Sequence, residues 1–328
     1  MIRVLYHTSD GRVNIDLSPQ EFSTALQDMD GLLWVDLAAE ANHEHETMLL
    51  DTFKFHPLAI DDALRETHVP KVDDWGTYLY IVLRAVDPEH LADEQLGTLE
   101  VDIFLGQNYL VTYHPKAIAA VDRVWASCYR DERHVKKGAS HLLYKLVDEL
   151  VADYMPVVER IDEAIDEIEQ EVFAEAKPIV LERIFVLKRN LLHFRRVIAP
   201  QREVLNKLAR GDYAVIDAEA QLFFRDVYDH LVRLHDLTES LRDLVGSALD
   251  TYLSVVNNRM NDVMRTLTVI TTLFMPISFL VGFFGMNFFQ PVAPMDMWTG
   301  QPTFVLMLVI MVLMPVGMYL WIWQRAWM

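Results

Sequence analysis

The sequence predicts an α+β membrane protein: an N-terminal α/β domain on the cytoplasmic side, a long helical stalk, and two transmembrane helices at the C-terminus. Three observations carry this reading. The 328 residues hold 29 Lys and Arg against 48 Asp and Glu, a formal charge of −19. From Thr266 to Met328 the only charged residues are Asp296 and Arg325, so the whole acid excess sits in residues 1–265. The patterning also changes twice, from mixed strand and helix to helix alone, and then to unbroken apolar sequence. A length near twice the usual domain size allows two or three units. The boundaries fall at 1–135 (α/β), 136–262 (acidic helices and stalk) and 263–328 (membrane).

The same numbers exclude several classes. No basic footprint exists for a nucleic acid, so DNA and RNA are not expected partners. Cys128 is the only cysteine, which rules out an intrachain disulfide or a cysteine zinc cluster. The start, with Arg3 its first base and no long apolar core, does not read as a cleaved signal peptide.

In the first unit, Ile2–His7, Leu32–Leu37, Tyr78–Val86, Leu99–Leu105 and Tyr109–Tyr113 are strand candidates, rich in β-branched and aromatic residues. Gly106-Gln107-Asn108 fits a hairpin between the last two. Ser18-Pro19 opens a helix with serine as N-cap, and Glu21 completes a capping box. From Ser140 the strand signal disappears. Asp148–Glu175 carries 11 acids and one base, Arg160, with Ile161, Ile165, Ile168 and Val172 at helical spacing, and reads as one acidic amphipathic helix. From Asp217 no proline occurs until Pro276, a run of about 90 Å at the α-helical rise. That length suits a stalk running into the membrane.

Thr266–Met295 and Met297–Gln324 are charge-free. Each exceeds the 20 or so apolar residues that cross a bilayer, giving spans at about 266–286 and 303–324 joined by a loop at 287–302. The loop lacks Lys and Arg, whereas Arg259, Arg265 and Arg325 flank the other ends. The positive-inside rule then places both termini and the acidic domain in the cytoplasm, with the spans in the plasma (inner) membrane. Trp298, Trp321, Trp323 and Trp327 read as interfacial anchors.

Steps of three and four along the stalk pick out Asp250, Ser254, Asn257, Asn261, Met264, Leu267 or Thr268, Thr271, Met275, Ser278 and Gly282. This stripe is polar or small for most of its length, while Ile270, Leu273, Phe274, Ile277, Phe279, Leu280 and Val281 occupy the other faces. Such a stripe serves either close helix packing or a water-filled pore. Its continuation through Asn257 and Asn261 to Asp250 favours the pore, because an aspartate ring repels itself unless a cation sits between its members. One helix cannot enclose a channel, so a pore requires a homo-oligomer.

The first span ends in Gly285-Met286-Asn287. With two terminal spans, a long preceding helix, and Met260–Leu267 and Phe274-Met275-Pro276 upstream, the chain resembles the CorA family of divalent-cation (magnesium and cobalt) transporters. His56–Leu64, Pro70-Lys71-Val72, Leu187–Asn190 and Phe224–His230 extend the resemblance over nearly the whole chain. It implies a funnel-shaped homopentamer whose first span lines a central pore, and a transporter rather than an enzyme. Gly285, Met286 and Asn287 would form the selectivity filter. Mg²⁺ gives up its water reluctantly, which suits neutral acceptors such as Asn287 carbonyls and Gly285 main-chain oxygens. Asp250, Asn257, Asn261, Met264, Leu267, Thr271, Met275, Ser278 and Gly282 would line the path. Met264 and Leu267 would make an apolar constriction that gates by dewetting.

The resemblance also implies regulatory Mg²⁺ bound by carboxylates of neighbouring subunits, at Asp62 with Asp226 and at Asp61 with Asp148. Facing carboxylates repel when empty and are bridged by a divalent ion, so binding favours the packed, shut arrangement. No nucleotide motif or organic-cofactor motif is present. A doubly charged ion gains about 4.6 kcal/mol per 100 mV on moving inward, which suffices for uptake. Phe289-Gln290-Pro291 stands where many family members place an acidic residue, leaving Asp296 as the loop's one charge and the mouth weaker in cation capture. Two alternatives stay open: a zinc transporter of the ZntB type, proton-coupled or not, with His193, His230 or His235 as ligands, and a membrane metal sensor or scaffold that conducts nothing.

Overall fold

Apolar runs of five to nine residues bounded by turn formers build the sheet of the N-terminal unit, seen in a computed structural model that describes residues 2–15, 17–65, 68–87, 97–285 and 301–324. The strands are β1 (Ile2–His7), β2 (Val13–Asn14), β3 (Leu32–Ala38), β4 (Lys71–Asp74), β5 (Leu79–Asp87), β6 (Gly97–Leu105) and β7 (Tyr109–His114), ordered β2-β1-β3-β7-β6-β5-β4. Only β3 and β7 are parallel, with Val35 opposite Val111; the other neighbours run antiparallel. All five expected strands are present, with ends displaced by at most two residues. Two were not expected. β2 has two residues, and β4 carries Lys71, Asp73 and Asp74, so neither shows the alternation that marks a half-buried strand. As edge strands they gain, β2 from being short and β4 from being short and charged.

The hairpin at Gly106 closes through its N–H donating to the Tyr109 carbonyl at 3.0 Å. A Cβ on Gly106 would fall 2.2 Å from the Tyr109 ring, so only glycine fits. At Ser18, the Glu21 carboxylate accepts from the backbone N–H at 2.9 Å, the reach-back arm of the capping box, and also from the Ser18 hydroxyl at 2.6 Å. It opens a 3₁₀ turn (Pro19–Glu21) leading into α1 (Phe22–Ala25).

One sheet face is covered by α1, α2 (His43–Thr47), a π turn (Met48–Thr52) and α3 (Pro57–Arg65). Phe22, Phe53, Phe55, Leu49 and Ile60 pack there on Val35, Tyr80, Phe104 and Val111. On the other face lies α4 (Ala119–Arg130), whose Trp125 meets Trp34 at 4.8 Å, and α5 (Ala139–Ala152) packs on β5 and β7. Asp36 is buried on this face, held by Arg3 Nε at 2.9 Å, Thr112 Oγ1 at 2.6 Å and His114 Nε2 at 3.1 Å.

From α5 onward every described element is helical: α6 (Tyr154–Ala174), α7 (Pro178–Arg210), α8 (Ala218–Gly285) and α9 (Gln301–Gln324). The single acidic helix expected over Asp148–Glu175 is instead two helices, broken at Asp153. Pro156 explains the break: its ring would strike the carbonyl of Ala152, four residues back. Ile161, Ile165, Ile168 and Val172 do form the buried face of α6. Pro178 starts α7, and Gly211, at φ 78°, ends it in the left-handed region. α8 runs 68 residues and passes through Pro276 without ending.

The chain packs as two units, Met1–Asp250 and Thr251–Met328. In the second, none of the most apolar stretch of α8 and 6% of that of α9 is buried. A long, charge-free and largely apolar helix left uncovered belongs in hydrocarbon rather than in a soluble core.

Candidate ion path and regulatory carboxylates

Within the C-terminal unit, α8 has one partly covered face. Val269, Thr272, Leu273, Pro276, Ile277 and Leu280 are half-buried. On α9 the corresponding set is Met307, Met311, Pro315 and Met318, with Ile322 buried. At 3.6 residues per turn, the stripe of Met264, Leu267, Thr271, Met275, Ser278 and Gly282 points about 170° away from the covered face of α8. All six of these residues are exposed, as are Asp250, Asn257, Asn261 and Gly285. The fold thus brings the expected path residues onto one side of one helix that its own chain leaves uncovered. Met286 and Asn287 lie outside the described residues.

The hydroxyls on this helix have a defined polarity. Thr268 and Thr271 donate to the carbonyls of Met264 and Leu267, each at 2.8 Å. With the proton committed to the backbone, each oxygen presents its lone pairs outward. A hydrated cation offers hydrogens to its surroundings, and outward lone pairs are the complement it needs.

The carboxylates lie in the N-terminal unit. Asp61 and Asp62 are neighbours on α3, and both have cationic partners in their own chain. Arg65 reaches Asp61 at 2.7 Å, one helical turn on. Lys71 reaches Asp62 at 2.6 Å, and His68 Nε2 lies 3.6 Å from the other Asp62 oxygen. Asp148, on α5, and Asp226, on α8, are within electrostatic reach of each other. Burial holds the Asp148 carboxyl above the ordinary carboxylate range, against the pull of Lys145 and His230 and with the help of Glu149 and Asp226. Burial likewise raises the Tyr144 hydroxyl, and Asp148 and Asp226 add to the shift. No hydrogen bond or ion pair joins the α3 pair to Asp148 or Asp226 among the described residues, and no three His, Cys, Asp or Glu side chains there converge as a metal set.

Sequence reasoning missed Lys71, Arg65 and His68 as partners of the α3 carboxylates. Arg65 was findable from its i, i+4 spacing to Asp61. Lys71 was not, because it reaches Asp62 only through the unrecognised edge strand β4. The three histidines considered for zinc do not gather: His193 lies exposed on α7, His230 exposed and His235 half-buried on α8.

An α+β domain whose last helix runs on into an uncovered two-helix apolar unit has the architecture of a two-span membrane protein, and Thr271 and Ser278 give the first span acceptors suited to an ion path. Comparison with known proteins carries this further. The family model described as CorA-like Mg²⁺ transporter protein matches residues 29–325, and the chain belongs to that family, whose members are transporters and not enzymes. A cobalt/magnesium transport protein CorA of Thermotoga maritima is 37% identical over 257 residues, covering 78% of this chain and 73% of the relative. A putative metal ion transporter, YfjQ, of Bacillus subtilis is 34% identical over 295 residues, covering 90% and 89%. The zinc transport protein ZntB of Yersinia enterocolitica is 26% identical over 324 residues, covering 97% and 94%. The complete structure of the CorA magnesium transporter from Methanocaldococcus jannaschii shares the fold at a TM-score of 0.84 and 22% identity, covering 100% of this chain and 99% of that one.

Proposed function

We propose that the chain assembles as a homopentamer around the exposed stripe of α8 and conducts Mg²⁺ inward, with Co²⁺ and Ni²⁺ as further substrates. Entry is driven by the membrane potential. The observation that carries this reading is the stripe itself: Thr271, Ser278 and Gly282 bring oxygen-bearing or small side chains among Met264, Leu267 and Met275, all turned away from the chain's own covered face, and the Thr268 and Thr271 hydroxyls donate to the backbone, which leaves their oxygens as acceptors. A symmetric ring of such helices would surround a wet axis. Gly285, Met286 and Asn287 form the filter at the outer mouth, Met264 and Leu267 the dewetting gate, and Asp250 concentrates cations at the inner end. Both termini and the acidic domain lie in the cytoplasm.

Regulation uses Asp62 with Asp226, and Asp61 with Asp148, across neighbouring copies. What supports an ion site there is the crowding of acidic groups: Asp148 and Asp226 lie within electrostatic reach of each other, a repulsion that a bridging ion would relieve. Filling the site with Mg²⁺ binds the subunits together and shuts the gate; falling internal Mg²⁺ opens it. The T. maritima relative's name favours Mg²⁺ and Co²⁺, and the Y. enterocolitica relative's name keeps Zn²⁺ as the second reading. The scattered positions of His193, His230 and His235, none of them on the stripe, favour the oxygen-lined path.

Proteoliposomes with a negative interior separate these readings. Mg²⁺, Co²⁺ and Ni²⁺ enter, and Asn287→Ala reduces entry to the level of protein-free vesicles while the oligomer stays intact. Flux of Zn²⁺ alone would select the second reading, and no flux of any of the four ions would leave only a sensor or scaffold.

A further inference from the structure

Lys71 opens the edge strand β4, and its ammonium lies between two carboxylates, 2.6 Å from Asp62 Oδ2 and 3.0 Å from Asp73 Oδ2. It also stands over the Tyr80 ring, 5.2 Å from the centroid. The carboxylate that the proposed regulatory site requires is therefore already held by a cation of its own chain. The Lys71 and Asp62 side chains are 29% and 30% exposed, so water screens the pair and a divalent ion can reach it. An ammonium leaving Asp62 would still have Asp73 and the aromatic face, so its departure strands no charge.

We propose that Lys71 is a tethered competitor for the regulatory ion. With the ion absent, its ammonium closes Asp62. Binding of the ion moves the ammonium fully onto Asp73, and the lysine thereby sets the concentration at which the site fills. This rests on the reading of Asp62 as a regulatory ligand given above. The apparent affinity falls by the fraction of time that Asp62 is open. For a partly exposed pair that holds about four-fifths of the time, the midpoint rises about fivefold.

The test is a Mg²⁺ titration of the full-length chain in detergent, reading protection from limited proteolysis. Lys71→Met lowers the midpoint about fivefold, and Lys71→Gln does the same should the methionine variant fold poorly. Asp73→Asn removes the alternative seat and raises the midpoint when Lys71 is present, but shifts it little when Lys71→Met is also present. An unchanged midpoint in both lysine variants overturns the proposal. So does an Asp73→Asn shift of equal size in both backgrounds, which would report only a change of local charge. Asp62→Asn tests the underlying reading. Protection that vanishes with Asp62→Asn while the lysine variants do nothing sinks the competitor alone; protection that survives Asp62→Asn unaltered sinks both.

Discussion

Asp36 and Ser278 show how differently the two units are finished. Asp36 is buried in the N-terminal unit, and Arg3, Thr112 and His114 satisfy it from three different segments. Ser278 lies exposed on α8, in a unit whose apolar stretches are almost wholly uncovered. The N-terminal unit completes its core, and the pairing of buried Asp36, within one chain. The C-terminal unit leaves its apolar stretches almost wholly uncovered, and on the proposed reading lipid and further copies cover them. Substitutions in the first should therefore act on stability, and substitutions on the stripe should act on transport.

The largest effect expected is Asp36→Ala. It leaves His114 without its carboxylate partner and Arg3 with Asp122 alone, at 2.7 Å, and costs about 3–5 kcal/mol, read as a fall in the melting temperature of the N-terminal unit. A change within about 0.5 kcal/mol would break the contrast. The pH dependence sharpens it. Burial acts to raise the Asp36 carboxyl, but hydrogen bonds from His114 and Thr112 and the charge of Arg3 outweigh it and hold it low. Its contribution is fully present above the unfolded value of about 3.9 and is lost as pH falls through the lower folded value.

Asp102 behaves in the opposite sense. Burial pushes its carboxyl well above the ordinary range, and it accepts from the Tyr80 hydroxyl at 2.6 Å. The folded state keeps a proton that the unfolded chain releases above about pH 4, so stability falls as pH rises toward the raised value. Asp102→Asn removes that cost and should leave the unit as stable or about 1–2 kcal/mol more stable at neutral pH, by thermal melts at several pH values. A loss comparable to that of Asp36→Ala would contradict this assignment.

Smaller still is Arg123→Ala. Arg123 pairs with Glu149 and Asp153 at 2.7 Å each, but all three side chains are substantially exposed. The expected cost is under about 1 kcal/mol, falling with salt. At the end of the series, Thr271→Val leaves the melting temperature unchanged and lowers Mg²⁺ flux, because it removes an acceptor from the stripe and little else.

Periodicity made most of this legible. The five long strands, the Ser18 capping box, the Gly106 hairpin and the two apolar helices follow from local patterns that the fold leaves intact. The two edge strands were hidden by their length and charge. The break at Asp153 was hidden by reading the acid run as continuous, although Pro156 announces it. Pro200 and Pro276 show the converse, each lying inside a helix that continues. The stripe was legible for the same reason as the strands, since its spacing is a property of one helix. Which cation sits against Asp62 was not, because Lys71 comes within reach only once β4 joins β5, a pairing that no local pattern encodes.

The central claim, that the stripe faces a shared ion path, is tested most directly by cysteine accessibility during Mg²⁺ uptake. Cys128 is buried, so the background is quiet. A bulky water-soluble thiol reagent should stop flux through Ser278→Cys and leave Leu280→Cys, on the covered side of the same helix, unaffected. Block at Leu280→Cys with none at Ser278→Cys would place the path on the other side of α8 and contradict the account.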